Sequence, residues 1–289
     1  MNGILLIDKP RDWTSHDVVG KLRGILREKR IGHSGTLDPM ATGLLVVFVG
    51  RATRAVEFAE ADEKEYLADL RLGVETDTQD ITGRVVRTCD STVSREELEA
   101  VLPQFRGEIE QVPPMYSAIK VNGKKLYEIA RKGGEIERKP RRVTISKLEL
   151  IGAEDGAYHL DVVCSKGTYI RTLCHDIGQA LGVGGTMSAL RRTRAGTFSV
   201  ANAVTLEQVQ RAAETGATEQ LLLPVDTLFY EYDAIEVIGR EAARIKNGGS
   251  FSRAVPDGTY RIYAENGEFL ALGQVTQESC KTIKSFFEV

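Results

Sequence analysis

The chain has 289 residues, of which 42% are apolar and 27% charged, with a net charge of −3; that is enough for one large domain, or a large one with a small one, and too apolar for disorder. Its longest clear apolar run, Leu44 to Val49, falls far short of the roughly 20 residues that span a bilayer, and early charges at Asp8 and Lys9 make a secretory leader unexpected. Four cysteines (Cys89, Cys164, Cys174, Cys280) without Cys-x-x-Cys spacing argue against a disulfide framework or a zinc site and fit a reducing cytoplasm.

Residues 3–7 read as a short buried strand, and Thr14 or Ser15 caps a helix whose Val18, Val19, Leu22, Ile25 and Leu26 form one apolar stripe. A glycine-rich turn over residues 32–39 leads into an apolar strand at 44–49. From Lys64 to Val74, Tyr66, Ala68, Leu70, Leu72 and Val74 alternate with more polar neighbours, the period of a half-buried strand. Ser94-Arg95-Glu96-Glu97 is a capping box opening a helix with Leu98, Val101 and Leu102. Asn122-Gly123 predicts a hairpin turn, residues 124–131 a short helix, and residues 143–151 and 158–164 two strands. Ile170, Leu173, Ile177 and Leu181 have helical spacing across 168–181. Strands and helices do not alternate regularly, so the expected fold class is α+β, with a mixed, largely antiparallel sheet flanked by helices. After Pro224, strand-like runs separated by Gly248-Gly249, Pro256-Asp257-Gly258 and Asn266-Gly267 predict a small β-rich C-terminal domain. At about 55–60 residues, such a unit folds best when docked.

Charge is unevenly distributed. Residues 55–119 carry six Lys/Arg against fifteen Asp/Glu, whereas residues 120–142 carry nine against three. This concentrated positive stretch suits a phosphate-bearing polymer, because neutralised phosphates release counterions; a solvated surface loop is the alternative. The clusters Arg138-Lys139-Pro140-Arg141-Arg142 and Arg191-Arg192-Thr193-Arg194 are candidate phosphate contacts.

Asp38, before a proline in a turn rich in glycine, is either a plain turn residue or a carboxylate held for chemistry. The second reading needs a nearby cation to offset burial, and Arg171 at the start of the predicted helix is a candidate. His33 has no second ligand at metal spacing. Asp77 and Asp80 resemble a divalent-cation loop but lack its further acidic ligands, and read as turn residues or local acceptors. Neither a Walker motif, a dinucleotide fingerprint nor a serine elbow is present, so no nucleotide cofactor and no serine hydrolase is expected.

These residues fall into blocks. Residues 3–10 with Thr14-Ser15, then Gly32-His33-Ser34-Gly35-Thr36-Leu37-Asp38-Pro39-Met40-Ala41-Thr42-Gly43, resemble the bacterial tRNA pseudouridine-55 synthases of the TruB type. Lys64-Glu65-Tyr66, Thr76-Asp77-Thr78-Gln79-Asp80, Pro113-Pro114-Met115-Tyr116-Ser117-Ala118, Gly167-Thr168-Tyr169-Ile170-Arg171 and Leu190-Arg191-Arg192-Thr193 follow in family order. Departures are Asp12, where the family usually has glycine, and Ala195, where serine is common.

The resemblance implies a cofactor-free, metal-free isomerase acting on uridine 55 in the T-loop of tRNA. Asp38 would attack C1′ of the sugar or C6 of the base, or stabilise an oxocarbenium-like sugar. Tyr66 would stack on the uracil and help remove its C5 proton, and Arg171 would pair with Asp38. His33 would fill the vacated stack, Tyr169 and Leu190 would wall the pocket, and Asp80 would lie near the substrate. Lys124, Lys125, Arg131, Lys132, Arg138, Lys139, Arg141 and Arg142 would belong to an RNA-clasping arm over about 120–142, within a catalytic domain of residues 1–230. Arg191 and Arg192 would add phosphate contacts. Residues 233–289 would form a PUA-like RNA-binding domain on the acceptor stem. The expected partner is tRNA alone, with no membrane and no obligatory protein partner, bound by a cytoplasmic monomer. Two rivals remain: a catalytically silent RNA-binding module on this scaffold, and a metal-dependent phosphohydrolase built on Asp77 and Asp80.

Overall fold

The two most apolar runs of the chain pair with each other at one end of the main sheet. The structure, a computed structural model, describes residues 1–59, 63–121 and 123–287. In chain order come β1 (Gly3–Lys9), α1 (Ser15–Leu26), β2 (Ile31–Ser34), β3 (Thr42–Val49) and β4 (Glu63–Leu72). A small hairpin, β5 (Val74–Thr76) with β6 (Val85–Thr88), precedes α2 (Arg95–Val101) and β7 (Gly107–Gln111). The basic arm holds β8 (Lys120–Val121), β9 (Lys124–Lys125) and a short α3 (Leu126–Ala130). Then follow β10 (Arg141–Glu154), β11 (Ala157–Ser165), α4 (Ile170–Ala180), β12 (Gly185–Ala195), β13 (Phe198–Ser199) and α5 (Leu206–Glu214). The C-terminal part comprises β14 (Ala234–Val237), α6 (Gly239–Lys246), β15 (Phe251–Ser252), β16 (Gly258–Ala264), β17 (Phe269–Thr276) and β18 (Ser279–Ser285).

The main sheet runs β1-β3-β12-β4-β11-β10-β7, with β2 added to β3 and β13 to β12. Its pairs are antiparallel except the short β3–β12 junction, where Arg191 lies opposite Thr42 and Arg192 opposite Gly43. Alternate residues of β1 and β3 point to opposite faces, and both faces are covered, which is why these strands read as unbroken apolar runs. Leu5, Ile7, Leu45 and Val47 meet the α1 stripe of Val18, Val19, Leu22 and Leu26. Thr14 caps α1 in a capping box with Asp17. Under the other half of the sheet, Tyr66, Ala68 and Leu70 of β4 share a core with Leu160 and Val162 of β11 and with Ile170, Leu173 and Ile177 of α4.

Four local expectations shift, the first being the helix expected over 124–131, which is cut to Leu126–Ala130 because Lys124–Lys125 pair as β9. The glycine-rich turn is shorter than 32–39, because residues 31–34 form β2 along β3, with His33 opposite Val47. The strand expected to reach Val74 ends at Leu72, since Gly73 has φ +81° and Val74 begins β5. Helix α4 begins at Ile170 rather than 168, after Tyr169 is clamped to the sheet by Gln111: the Tyr169 N–H donates to Oε1 at 2.7 Å, and Nε2 donates to the Tyr169 carbonyl at 3.0 Å. In the arm, Lys120 pairs with Lys125 and Val121 with Lys124 across the expected turn; Asn122 of that turn lies outside the described residues.

The C-terminal strands form a separate five-stranded sheet ordered β14-β16-β17-β18-β15, with its own core around Ile235, Val237, Ile262, Leu270 and Val275. That unit docks on the main body through Phe269 and Leu272 of its central strand β17 and Phe286 just past β18. Phe229, just before it, packs with Phe58, Phe269 and Phe286 at ring-centroid distances of 5.6, 6.0 and 5.7 Å. Because Phe229 is 3% exposed at the centre of this seam, Phe229→Ala is expected to destabilise the protein by about 3–5 kcal/mol. Urea unfolding followed by fluorescence checks it, and an unchanged midpoint would show that the seam is not what holds the two parts together.

Candidate functional site

The Asp38 carboxylate and the Arg171 guanidinium meet face to face: Nε to Oδ2 at 2.8 Å and Nη2 to Oδ1 at 3.2 Å. Two parallel contacts of this kind fix orientation as well as charge. Arg171, in the first turn of α4, is 5% exposed, and it also donates to the Thr78 carbonyl at 3.2 Å and the Tyr116 carbonyl at 2.9 Å. Asp80 lies 3.7 Å away on the other side, 8% exposed, its Oδ1 accepting from Thr78 Oγ1 and the Thr82 N–H. Three distant stretches of sequence therefore converge on one buried guanidinium.

The loop that carries Asp38 is held from below. Lys9, the end of β1, is wholly buried, and its ammonium donates to the carbonyls of Pro10 (2.9 Å), Trp13 (2.6 Å) and Pro39 (3.2 Å). Burial lowers its pKa to about 8, with the nearby Asp38 charge pulling the other way. Ser15 Oγ accepts the Leu37 N–H at 3.0 Å, and the Asp12 N–H donates to the Pro39 carbonyl at 2.8 Å. Asp12 adopts φ +64°, the left-handed region that favours glycine, so the departure from the family's residue occupies a position where glycine is least strained.

Asp38 keeps 34% of its side-chain surface open, so an incoming group can reach a carboxylate that is otherwise surrounded by protein. Burial pushes its pKa above the ordinary carboxylate range, Arg171 pulls it back, and the like charge of Asp80 pushes it up further. The cation expected to offset burial is in place, and Arg171 limits the rise without reversing it. The phenols of Tyr66 (8% exposed) and Tyr169 both feel the Asp38 charge, and burial raises both pKa values, opposed by the charge of Arg192 at Tyr66 and by those of Arg141 and Arg171 at Tyr169. Leu37, Met40, Tyr66 and Leu190 belong to one apolar cluster beneath the carboxylate. Asp38, Tyr66, Tyr169, Arg171, Asp80 and Leu190 are therefore brought together.

His33 stands nearby on β2, its ring edge-on to His16 at 5.5 Å, and its Nδ1 is buried without a partner among the described residues. Burial lowers its pKa, which keeps the ring neutral and suits stacking better than proton transfer.

The basic residues divide. Lys124, Arg131, Lys132, Lys139, Arg141 and Arg142 are exposed, and Lys125 and Arg131 flank the Tyr127 ring, each 5.4 Å from its centroid. Arg138 is turned inward to the Pro113 carbonyl at 3.1 Å, and Arg142 pairs with Glu108. Arg191 makes a two-nitrogen contact with Asp8 at 3.0 and 2.7 Å. Arg192 is a clear correction: at 1% exposure it cannot meet an RNA phosphate, and it bonds the Leu44 and Gly35 carbonyls instead. The arm is joined to the site through one segment, since the Ser117 carbonyl accepts the Tyr127 N–H at 3.1 Å while the preceding Tyr116 carbonyl holds Arg171. Lys9 and Gln111 were missed as site residues by sequence reasoning, and Arg192 was given a phosphate contact in place of its buried role. Their only signal was a charged or polar side chain set in strand-like sequence.

Asp77 and Asp80 do not form a cation loop: the Asp80 oxygens are taken by Thr78, Thr82 and Arg171, Asp77 Oδ1 accepts the Arg84 N–H, and no cluster of three metal-ligating side chains occurs among the described residues. Among the described residues no helix is long and apolar enough to cross a membrane.

Comparison with known proteins places these features in a family. The model for the N-terminal domain of TruB family pseudouridylate synthases matches residues 23–170, and that for the tRNA pseudouridylate synthase B C-terminal domain matches residues 171–230, so the sheet from Ala234 onward lies past both. The chain is 43% identical over 292 positions to tRNA pseudouridine synthase B of Clostridium kluyveri, covering 99% of this chain and 100% of that one. It is 46% identical over 256 positions to the same enzyme of Geobacillus thermodenitrificans, covering 86% and 85%. Among solved structures, a chain of an H/ACA ribonucleoprotein bound to a substrate RNA containing 2′-deoxyuridine is similar with TM-score 0.73 and 25% identity, over 99% of this chain and 85% of that one. A chain of a Cbf5–Nop10–Gar1 complex is similar with TM-score 0.73 and 26% identity, over 99% and 85%.

A titration of Asp38 followed by carboxyl carbon NMR should give a midpoint above the usual value of about 3.9. Arg171→Gln should move it further up, because the opposing charge is gone. A midpoint at or below the ordinary value would mean that the guanidinium outweighs burial.

Proposed function

The chain belongs to the TruB family of pseudouridylate synthases, and from that membership we propose that it isomerises uridine to pseudouridine at position 55 in the T-loop of tRNA, with Asp38 as the attacking group. The observation that carries the assignment of residues is the two-oxygen contact between Asp38 and Arg171 in a pocket shared with Tyr66 and Tyr169.

Isomerisation breaks the N1–C1′ bond, turns the uracil and joins its C5 to C1′. The proton lost from C5 is matched by one gained at N1, so atoms and electrons balance without an oxidant or a co-reactant. A carboxylate is the group this needs: it attacks C1′ or C6, or stabilises the positive charge that develops at the sugar. Arg171 keeps Asp38 aimed and limits the rise of its pKa, while the open third of its surface admits the nucleoside. A loop uridine must be everted at a cost of a few kcal/mol, and stacking on the Tyr66 ring, worth about 1–3 kcal/mol per base, offsets that. The neutral ring of His33, at the rim, takes the place the base leaves.

In this reading the exposed cations of the arm close on the T-loop, and the C-terminal sheet, as a PUA-like unit, touches the acceptor stem. The RNA contacts then come from a single chain acting without an obligatory protein partner. Four free cysteines accord with a cytoplasmic location.

Asp38→Asn should abolish tritium release from C5-labelled uridine in unmodified tRNA while leaving tRNA affinity within a few-fold; full turnover by that variant would falsify the assignment. Replacing Lys124, Lys132, Lys139 and Arg141 by glutamine should weaken tRNA binding and flatten its dependence on salt, by up to about 0.9 in log–log slope for each duplex phosphate no longer neutralised. An unchanged slope would turn these side chains away from the RNA.

A further inference from the structure

Arg192 heads the largest fully buried side chains of the protein. A buried cation is costly unless its charge is used or compensated, yet the hydrogen bonds of its Nε and Nη2 go to neutral carbonyls, Leu44 at 2.7 Å and Gly35 at 2.8 Å. Its position on β12 is directly opposite Tyr66 on β4 and opposite Gly43 on β3, and cross-strand partners carry their side chains on the same face. The chain has made room for it. A Cβ at Gly43 (φ +95°) would stand 2.3 Å from the Arg192 carbonyl, and one at Gly35 (φ +67°) would stand 3.1 Å from Nη1. The guanidinium thus ties the root of the Asp38 loop to the start of β3, on the sheet face that also carries Tyr66, whose phenol feels its charge.

We propose that Arg192 is a positioning residue for Tyr66, placing a fixed positive charge opposite it across the sheet and stabilising the phenolate that takes the C5 proton. The inference rests on the reading of Tyr66 as the group that takes that proton. In the step, Tyr66 acts as phenolate, its own proton having left to water: the C5–H bond breaks, its electron pair restores the C5=C6 double bond of the uracil, the N1=C6 pair moves to N1, which takes a proton from water, and the C5 proton passes to the Tyr66 oxygen. The fixed positive charge favours the phenolate for this step alone, since the guanidinium's hydrogen bonds go to backbone carbonyls and none to the Asp38 carboxylate.

The test is single-turnover kinetics on unmodified tRNA carrying 5-deuterated or ordinary uridine, with Arg192→Lys, Arg192→Gln and Tyr66→Phe. Arg192→Gln should slow pseudouridine formation by about 100-fold or more, the scale of losing effective proton transfer, and raise the C5 isotope effect above the wild-type value, with tRNA affinity within a few-fold. Arg192→Lys, which keeps the charge without the fork, should be slowed less and show a smaller rise; it carries the test should the glutamine variant fail to fold. A slowed variant whose isotope effect equals that of the wild type would make the loss structural and overturn the proposal, as would wild-type rates in both Arg192 variants. Normal turnover by Tyr66→Phe would instead overturn the reading of Tyr66 itself.

Discussion

The pairing of Asp38 with Arg171 is the contact on which the rest of the site depends. A guanidinium this deep must satisfy its donors within the protein, and Arg171 does so by drawing in the Thr78 and Tyr116 carbonyls as well as the carboxylate. Those three partners belong to three separate loops, so the demand of one side chain sets where each loop ends. Removing either member of such a pair leaves an uncompensated buried charge. Fold and site are consequently a single arrangement here: the loop cannot drift from α4 without exposing the arginine, and α4 cannot shift without releasing the carboxylate.

The sheet explains why the meeting point is where it is. Strand β12 lies between β3 and β4, and only along its short parallel contact with β3 does it approach closely enough to require glycine at position 43. That junction places the loop before β3 beside Tyr66 of β4 and Leu190 of β12. Lys9 then anchors the loop through three carbonyls, a clamp that needs a long donor side chain rising from a buried strand end. Rigid strands thus support what would otherwise be a mobile turn, which is the condition for a carboxylate to meet a substrate without reorganising.

Much of this was legible in the sequence because local rules and tertiary needs agree. Capping boxes at Thr14 and Ser94, the alternation along β4 and the helical spacing of Ile170, Leu173 and Ile177 all describe elements whose buried faces are regular. The motif blocks point to Asp38, Tyr66 and Arg171, and the structure sets them in one pocket. What escaped depends on neighbours distant in sequence. Arg191 and Arg192 are adjacent in a basic run, yet one pairs with Asp8 at the surface and the other is enclosed, since successive strand residues face opposite ways. Arg138 looks like any other arm cation until its bond to the Pro113 carbonyl is seen.

Burial also gives the pocket its electrostatic character. Lys9, Arg171 and Arg192 are three enclosed cations in a chain whose net charge is negative, and only Arg171 makes carboxylate contacts as its main bonds; the other two donate chiefly to carbonyls. Carbonyl dipoles hold a cation in place while leaving its field available to other groups. Asp38 lies within the reach of Lys9 as well as Arg171, and Tyr66 within that of Arg192. Each ionisable group that the proposed reaction uses is therefore paired with a fixed positive charge whose own position is set by backbone. Such charges need no rearrangement when the substrate's electrons move, and where a bound nucleoside displaces water they act more strongly than they would through it.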